Sequence, residues 1–149
     1  MPWELPNPHV IELCVQGADI DAYGHVNNSV YLTWLDKAAW SHSAALGVPL
    51  QECTTIGRGM AALRIEIDYL RAARAQERLA VATWIVTSDG RLRVGRRFQV
   101  WRAADAQSLA RAAVDYVCIN LDSGRAARMP ESFARAYVVT AAPDAGAVG

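Results

Sequence analysis

The residues best suited to chemistry lie together in Asp19-Ile20-Asp21-Ala22-Tyr23-Gly24-His25-Val26-Asn27-Asn28. This stretch closes a predicted strand and opens the longest predicted helix. The first helical turn leaves backbone N–H groups without partners, at the positive end of the helix dipole. A carboxylate at Asp21 and a turn at Gly24 therefore sit where a reacting carbonyl could be held beside an acid. Gly24 supplies a conformation that larger residues resist. Asn27 and Asn28 are good capping types, and capping is what positions the N–H groups. From the residues alone, Asp21 reads equally well as the first residue of an Asx turn. His25 could bond a substrate or water, or could simply tie the loop together.

The elements around this loop follow from pattern. His9 to Val15 is a short, mostly apolar strand. Ser29 to Leu46 reads as a helix about 25 Å long, ended by Gly47 and Pro49. Its apolar residues spread over more than one stripe, and only Asp36 and Lys37 are charged, which predicts a helix buried nearly all round. Met60 to Leu70 alternates, with Leu63, Ile65, Ile67 and Tyr69 on one side. Arg78 to Thr87 and Leu92 to Arg102 form strands joined at Asp89-Gly90, a hairpin signal. Leu92, Val94, Phe98 and Val100 share one face. Leu109 to Leu121 is the last long strand, and Glu131 to Val138 reads as a short closing helix. The domain spans 1–139, and the small residues from Thr140 to Gly149 predict a disordered tail. One helix with strands before and after it gives an α+β fold. The sheet's free edges predict pairing with a second copy.

At 149 residues with 52% hydrophobic content, the chain can bury one real core. Lysine plus arginine equals aspartate plus glutamate at 15 each, so nothing global points to nucleic acid or an anionic membrane. The balance hides an asymmetry. Met1 to Glu52 holds Glu4, Glu12, Asp19, Asp21, Asp36 and Glu52 against Lys37 alone. The eleven arginines from Arg58 to Arg111 face only Glu66, Asp68, Glu77, Asp89 and Asp105. A basic middle suits a phosphate-bearing small ligand, although most of these arginines read equally well as solvated strand faces. Cys14, Cys53 and Cys118 show no metal spacing, so no metal site is expected. No segment has the ~20 apolar residues of a membrane span and no signal peptide is evident, so a cytoplasmic location is expected.

Asp21 to Asn28, with its Gly24-His25-Val26-Asn27-Asn28 block, followed by Tyr31-Leu32-Thr33-Trp34, resembles the hotdog-fold acyl-CoA thioesterases of the 4-hydroxybenzoyl-CoA thioesterase group. Ile65 to Arg71 and Gly124 to Pro130 are similar to later segments of that family, and the likeness covers roughly His9 to Phe133. It implies a five- or six-stranded antiparallel sheet wrapped around one long central helix, working as a homodimer or homotetramer with active sites between subunits. It places the catalytic aspartate at Asp21 and an oxyanion donor near Asn28. The catalytic set is then Asp21, Gly24, His25 and Asn28. From their own chemistry, Asn27, Tyr31 and Trp34 are candidates to meet the substrate, although the two aromatics are more often core than pocket; Arg71, Arg74, Arg91, Arg93 and Arg96 could fork CoA phosphates, and Arg71, Arg74 and Arg93 are the ones assigned to them. Where family members often carry Glu and Arg, this chain has Asp36 and Ala39. A related branch keeps its carboxylate on the helix, so Asp36 is a second candidate.

A thioester already carries a good leaving group. It needs a nucleophile or an activated water, and donors for the carbonyl oxygen. Asp21 could attack directly or deprotonate water. No cofactor is implied, since coenzyme A is part of the substrate. The alternatives are an acyl-carrier-protein thioesterase, a hotdog hydratase or dehydratase, and a non-catalytic acyl-CoA-binding protein.

Overall fold

The computed structural model describes residues 2–143. In chain order it contains β1 (His9–Cys14), α1 (Asn28–Ala45), α2 (Leu50–Ile56), β2 (Arg58–Tyr69), β3 (Arg78–Ser88), β4 (Arg93–Arg102), β5 (Gln107–Asn120) and α3 (Glu131–Ala136). The strands form one sheet in the order β1-β3-β4-β5-β2. Every pairing is antiparallel. The hairpin between β3 and β4 turns at Gly90, whose φ is +68°. There Asp89 Oδ1 accepts from the N–H groups of Arg91, Leu92 and Arg93 at 2.8, 2.8 and 2.9 Å. Those donors hold the Asp89 carboxyl down at about 2.

α1 lies against one face of the sheet. Tyr31, Trp34, Leu35 and Ala38 share a core with Leu79 and Val81 of β3, Phe98 and Val100 of β4, and Leu109 and Val114 of β5. The spacing of the four helical residues makes one stripe at α-helical period. Burying a side chain such as Leu35 contributes about 2 kcal/mol. A second core lies under α2 and α3, where Cys53, Phe133 and Tyr137 meet Ile85, Val94 and Cys118.

The expectation of a helix buried nearly all round fails within one chain. Only the one stripe of α1 is covered, and Leu32 and Trp40 stay 36% and 46% exposed. Apolar composition alone does not say whether the cover comes from the same chain. β2 tells a similar story as an edge strand. Its predicted apolar face is open, with Leu63 52% and Ile65 45% exposed. A bulge between Ala62 and Arg64 interrupts its register.

The predicted helix stop at Gly47 and Pro49 is real, but Pro49 also begins α2, a helix the pattern did not suggest. Seven residues are too few to show a period. The chain ends also do more than expected. Trp3 packs on Trp84 and Trp101 at centroid distances of 6.5 and 6.4 Å. Buried Gln99 donates to the Pro2 carbonyl at 2.9 Å and accepts from Glu4 N–H at 3.0 Å. The N-terminal segment thus covers the outer sheet face, which is why β3 is buried on both sides. At the other end, Thr140 N–H donates to the Ile85 carbonyl at 2.8 Å and Ala141 is buried. Packing therefore continues past Thr140, where a tail was expected to begin; the rest of that tail, 144–149, lies outside the described residues.

Candidate active site

The loop before α1 is built by its own backbone. Ile20 and Val26 form an isolated bridge. Asp21 N–H donates to the His25 carbonyl at 2.8 Å, and Gly24 N–H donates to the Asp21 carbonyl at 3.1 Å. Gly24 has φ +79°, a left-handed turn that only glycine adopts freely. Val26 N–H donates to the Ala73 carbonyl at 3.0 Å and Asn27 N–H to the Asp19 carbonyl at 2.9 Å, which ties the loop to the β2–β3 connection and to the turn at Gly17–Asp19.

Within this frame the half-buried Asp21 uses one carboxylate oxygen and keeps the other. Oδ1 accepts from Tyr23 N–H at 2.8 Å and His25 N–H at 3.3 Å. Oδ2 has no hydrogen-bond partner among the described residues. The Asx turn and the catalytic reading, alternatives in the sequence, are thus compatible: the turn orients the carboxylate and leaves an oxygen free. Asn27 caps the helix, its Oδ1 accepting from Ser29 N–H at 3.0 Å and Ser29 Oγ at 2.9 Å. The N–H of Asn28 has no acceptor among the described residues. One free donor at the helix start therefore follows one free carboxylate oxygen in the loop. The His25 ring is exposed and makes no hydrogen bond among the described residues; its backbone does the structural work.

The other expected site residues are dispersed. Tyr31 and Trp34 are 2% and 3% exposed and pack in the main core with their rings tilted at 57° and 4.8 Å between centroids. Tyr31 Oη accepts from Ala73 N–H at 3.2 Å, so this ring anchors the loop rather than standing open to a ligand. Tyr69 Oη donates to the Asn28 carbonyl at 2.9 Å, a contact the sequence did not suggest. Arg71 and Arg74 flank one shallow depression with Arg102. Arg102 is already engaged by Glu77 at 3.1 Å and Asp105 at 2.7 Å. Arg93 is elsewhere. It pairs with Val117 on β5, whereas Tyr69, next to Leu70 and Arg71, pairs with Ala110. Seven residues of strand separate those positions, about 24 Å. One chain does not gather the three arginines.

A cavity of about 310 Å³ opens along the second half of α1, lined by Asp36, Trp40, Ser43, Met60, Arg96 and Tyr137 among others. Asp36, the second carboxylate candidate, is exposed here, and partial loss of water raises its pKa. Arg96, one of the arginines that could have reached a CoA phosphate, is buried at 3% exposure. Its Nη1 donates to His42 Nδ1 at 2.7 Å and its Nη2 to Ser43 Oγ at 3.1 Å. Ser43 Oγ lies 2.9 Å from Tyr137 Oη, and the guanidinium sits 5.9 Å from that ring's centroid. Burial, with the Arg96 and His9 charges behind it, pulls His42 down to about 4, so the imidazole is neutral and its Nδ1 accepts. The same burial pushes Tyr116 up to about 12. The sequence carried a signal for this cluster: Arg96 falls between Val94 and Phe98 on the inward face of β4.

Comparison with known proteins adds an independent line. The family model of the thioesterase-like superfamily matches residues 15–137. The chain is 26% identical over 115 residues to the long-chain acyl-CoA thioesterase FadM of Escherichia coli, covering 77% of this chain and 86% of that one. A 1,4-dihydroxy-2-naphthoyl-CoA thioesterase from Synechocystis has a similar structure, with TM-score 0.78, 26% identity and coverage of 88% of this chain and 96% of that chain. A Staphylococcus aureus protein solved in complex with CoA aligns with TM-score 0.80 and 18% identity over 87% of this chain and 81% of that one, a likeness of fold alone.

Proposed function

This chain belongs to the thioesterase-like superfamily, and we propose that it hydrolyses acyl-CoA thioesters to free acid and coenzyme A at the Asp21–Asn28 loop. Thioesterase relatives at 26% identity support the substrate class. The Gly24-to-Asn28 block supports placement in the 4-hydroxybenzoyl-CoA group of hotdog enzymes. The observations that carry the reading are an Asp21 oxygen and, at the positive end of an 18-residue helix, an Asn28 N–H, neither of which has a partner among the described residues.

In this mechanism the thioester carbonyl oxygen points at the Asn28 N–H. Asp21 Oδ2 either takes a proton from a water that attacks the carbonyl carbon, or attacks that carbon itself to form a mixed anhydride that water then opens. Both routes break the C–S bond, release the CoA thiol and consume one water. As negative charge builds on the oxygen, the N–H and helix dipole stabilise it; one such donor is worth about 3 kcal/mol in the barrier. His25 stands exposed at the loop rim to contact substrate or water. Asn27 holds the cap, and neither route calls for a metal or cofactor.

The working unit in this reading is a homodimer. The open apolar edge of β2 and the bare side of α1 are surfaces a second copy would cover. The reaction is tested by following free thiol from short, medium, long and aryl acyl-CoAs, with the same acyl groups on an acyl carrier protein in parallel. Turnover of the CoA esters supports the proposal. Turnover of the carrier esters alone moves the assignment to the carrier-protein class, and no turnover of either refutes it.

A further inference from the structure

Arg96 is a buried cation whose neighbours are all neutral. His42 Nδ1, Ser43 Oγ and Thr83 Oγ1 accept from it at 2.7, 3.1 and 3.4 Å, and the Tyr137 ring flanks it. No carboxylate among the described residues pairs with it. Its Nε makes no hydrogen bond there either. Asp36, the one acid lining the cavity among the described residues, is seven residues from Ser43 on α1. That is about 10 Å along the helix, and among the described residues no ion pair joins Asp36 to the guanidinium. Burying a guanidinium is costly unless a counter-charge meets it. Here the neutral shell fixes the fork's orientation and supplies no such charge. The guanidinium, Ser43 and Tyr137 all border the cavity, whose remaining wall includes Met60, Val94 and Trp40. The cavity is thus apolar in part and cationic at one place, at the small end of the range for ligand pockets.

We infer that this cavity is a subsite for an acyl group ending in an anion, with a carboxylate of the substrate set against the Arg96 guanidinium. The inference deepens the thioesterase reading and rests on it for the reaction, though not for the binding. A carboxylate accepts two parallel N–H bonds from a guanidinium fork, which a methyl terminus cannot do. Met60 and Val94 accommodate the methylenes or ring that lead to it. Asn28 lies fifteen residues from Ser43, about 22 Å along α1. A long acyl group spans that within one chain; a short one reaches Arg96 when the Asp21 loop of a second copy stands at the cavity mouth.

The test pairs substrates that differ only at the acyl end: adipoyl-CoA with hexanoyl-CoA, hexadecanedioyl-CoA with palmitoyl-CoA, and 4-carboxybenzoyl-CoA with benzoyl-CoA. The expected result is a preference in kcat/KM of at least about tenfold for the anionic member of one pair, the usual worth of a charge-assisted bond. Arg96→Gln should collapse that ratio, and Arg96→Lys should restore it in part. The length or ring of the preferred pair identifies the source of the anion. Equal kcat/KM within every pair of the unaltered enzyme overturns the inference, even if no Arg96 variant folds. Free adipate, hexadecanedioate and terephthalate are titrated calorimetrically in parallel. If no thioester turns over yet a diacid binds and Arg96→Gln abolishes that binding, the hydrolase reading fails and the subsite stands. If the protein cleaves thioesters with no end-group preference and binds no diacid, the subsite fails alone.

Discussion

Acid should unfold this protein through His42 in a window that the Arg96 cluster defines. The imidazole belongs at 6.5 when the chain is unfolded and lies at about 4 when folded, with burial the leading cause and Arg96 and His9 adding to it. Above 6.5 the ring is neutral in both states and costs nothing. As pH falls through 6.5 the unfolded chain binds a proton that the folded chain refuses, so stability drops until the folded ring protonates near 4. The full loss is about 3 kcal/mol, and about 2 kcal/mol is already gone at pH 5. In a domain of this size 2 kcal/mol lowers Tm by about 4–8 °C. His9, stacked on His42 at 4.8 Å and itself shifted downward, acts in the same direction. The perturbation is His42→Asn, which keeps an acceptor near Nδ1 and removes the titration. Urea melts of both proteins at pH 7 and pH 5 cancel the carboxylates common to each. The unaltered protein should lose about 2 kcal/mol more than the variant over that interval. Equal losses would show that His42 is not held neutral and that the Arg96 hydrogen bond runs otherwise.

Asn27→Ala removes the acceptor for Ser29 N–H and should cost about 1 kcal/mol, read as a drop of about 2–4 °C in Tm, while Asn27→Ser should recover most of it. If the Asn28 N–H needs that cap for its position, kcat falls with the cap and returns with Ser; a kcat indifferent to both changes would separate capping from catalysis. Ile65→Glu puts a charge on the open edge of β2 and should shift the protein to monomer in light scattering. A monomeric unaltered protein, or an unshifted variant, would count against a dimer through this edge.

Most of the fold was legible because its signals are local. The alternation of β2, the Asp-Gly hairpin and the capping asparagines each act within a few residues of the backbone they shape. The Asp21 loop was legible for the same reason, since Asx turn, glycine and cap are neighbours in sequence. What escaped was set by distant partners. α2 is too short to carry a period, and Trp3 acquires its role only when Trp84 and Trp101 come beneath it. Tyr31 and Trp34 are aromatic at helical spacing, which is more often core than pocket, and one chain buries both. Arg96 was counted among the arginines that could reach a CoA phosphate, although its parity on β4 put it inside. Composition outweighed position there, and the neutral partners that hold it come from α1, β3 and the stretch after α3.

Hydrolysis at this loop depends on the Asp21 oxygen that has no partner among the described residues. Steady-state kcat of Asp21→Asn, measured on the best acyl-CoA of the panel with the fold checked by its melting curve, isolates that oxygen, because the amide keeps an acceptor for the Tyr23 and His25 N–H groups. The predicted result is a fall of about a hundredfold or more with an unchanged melt. Turnover equal to that of the unaltered enzyme would contradict it.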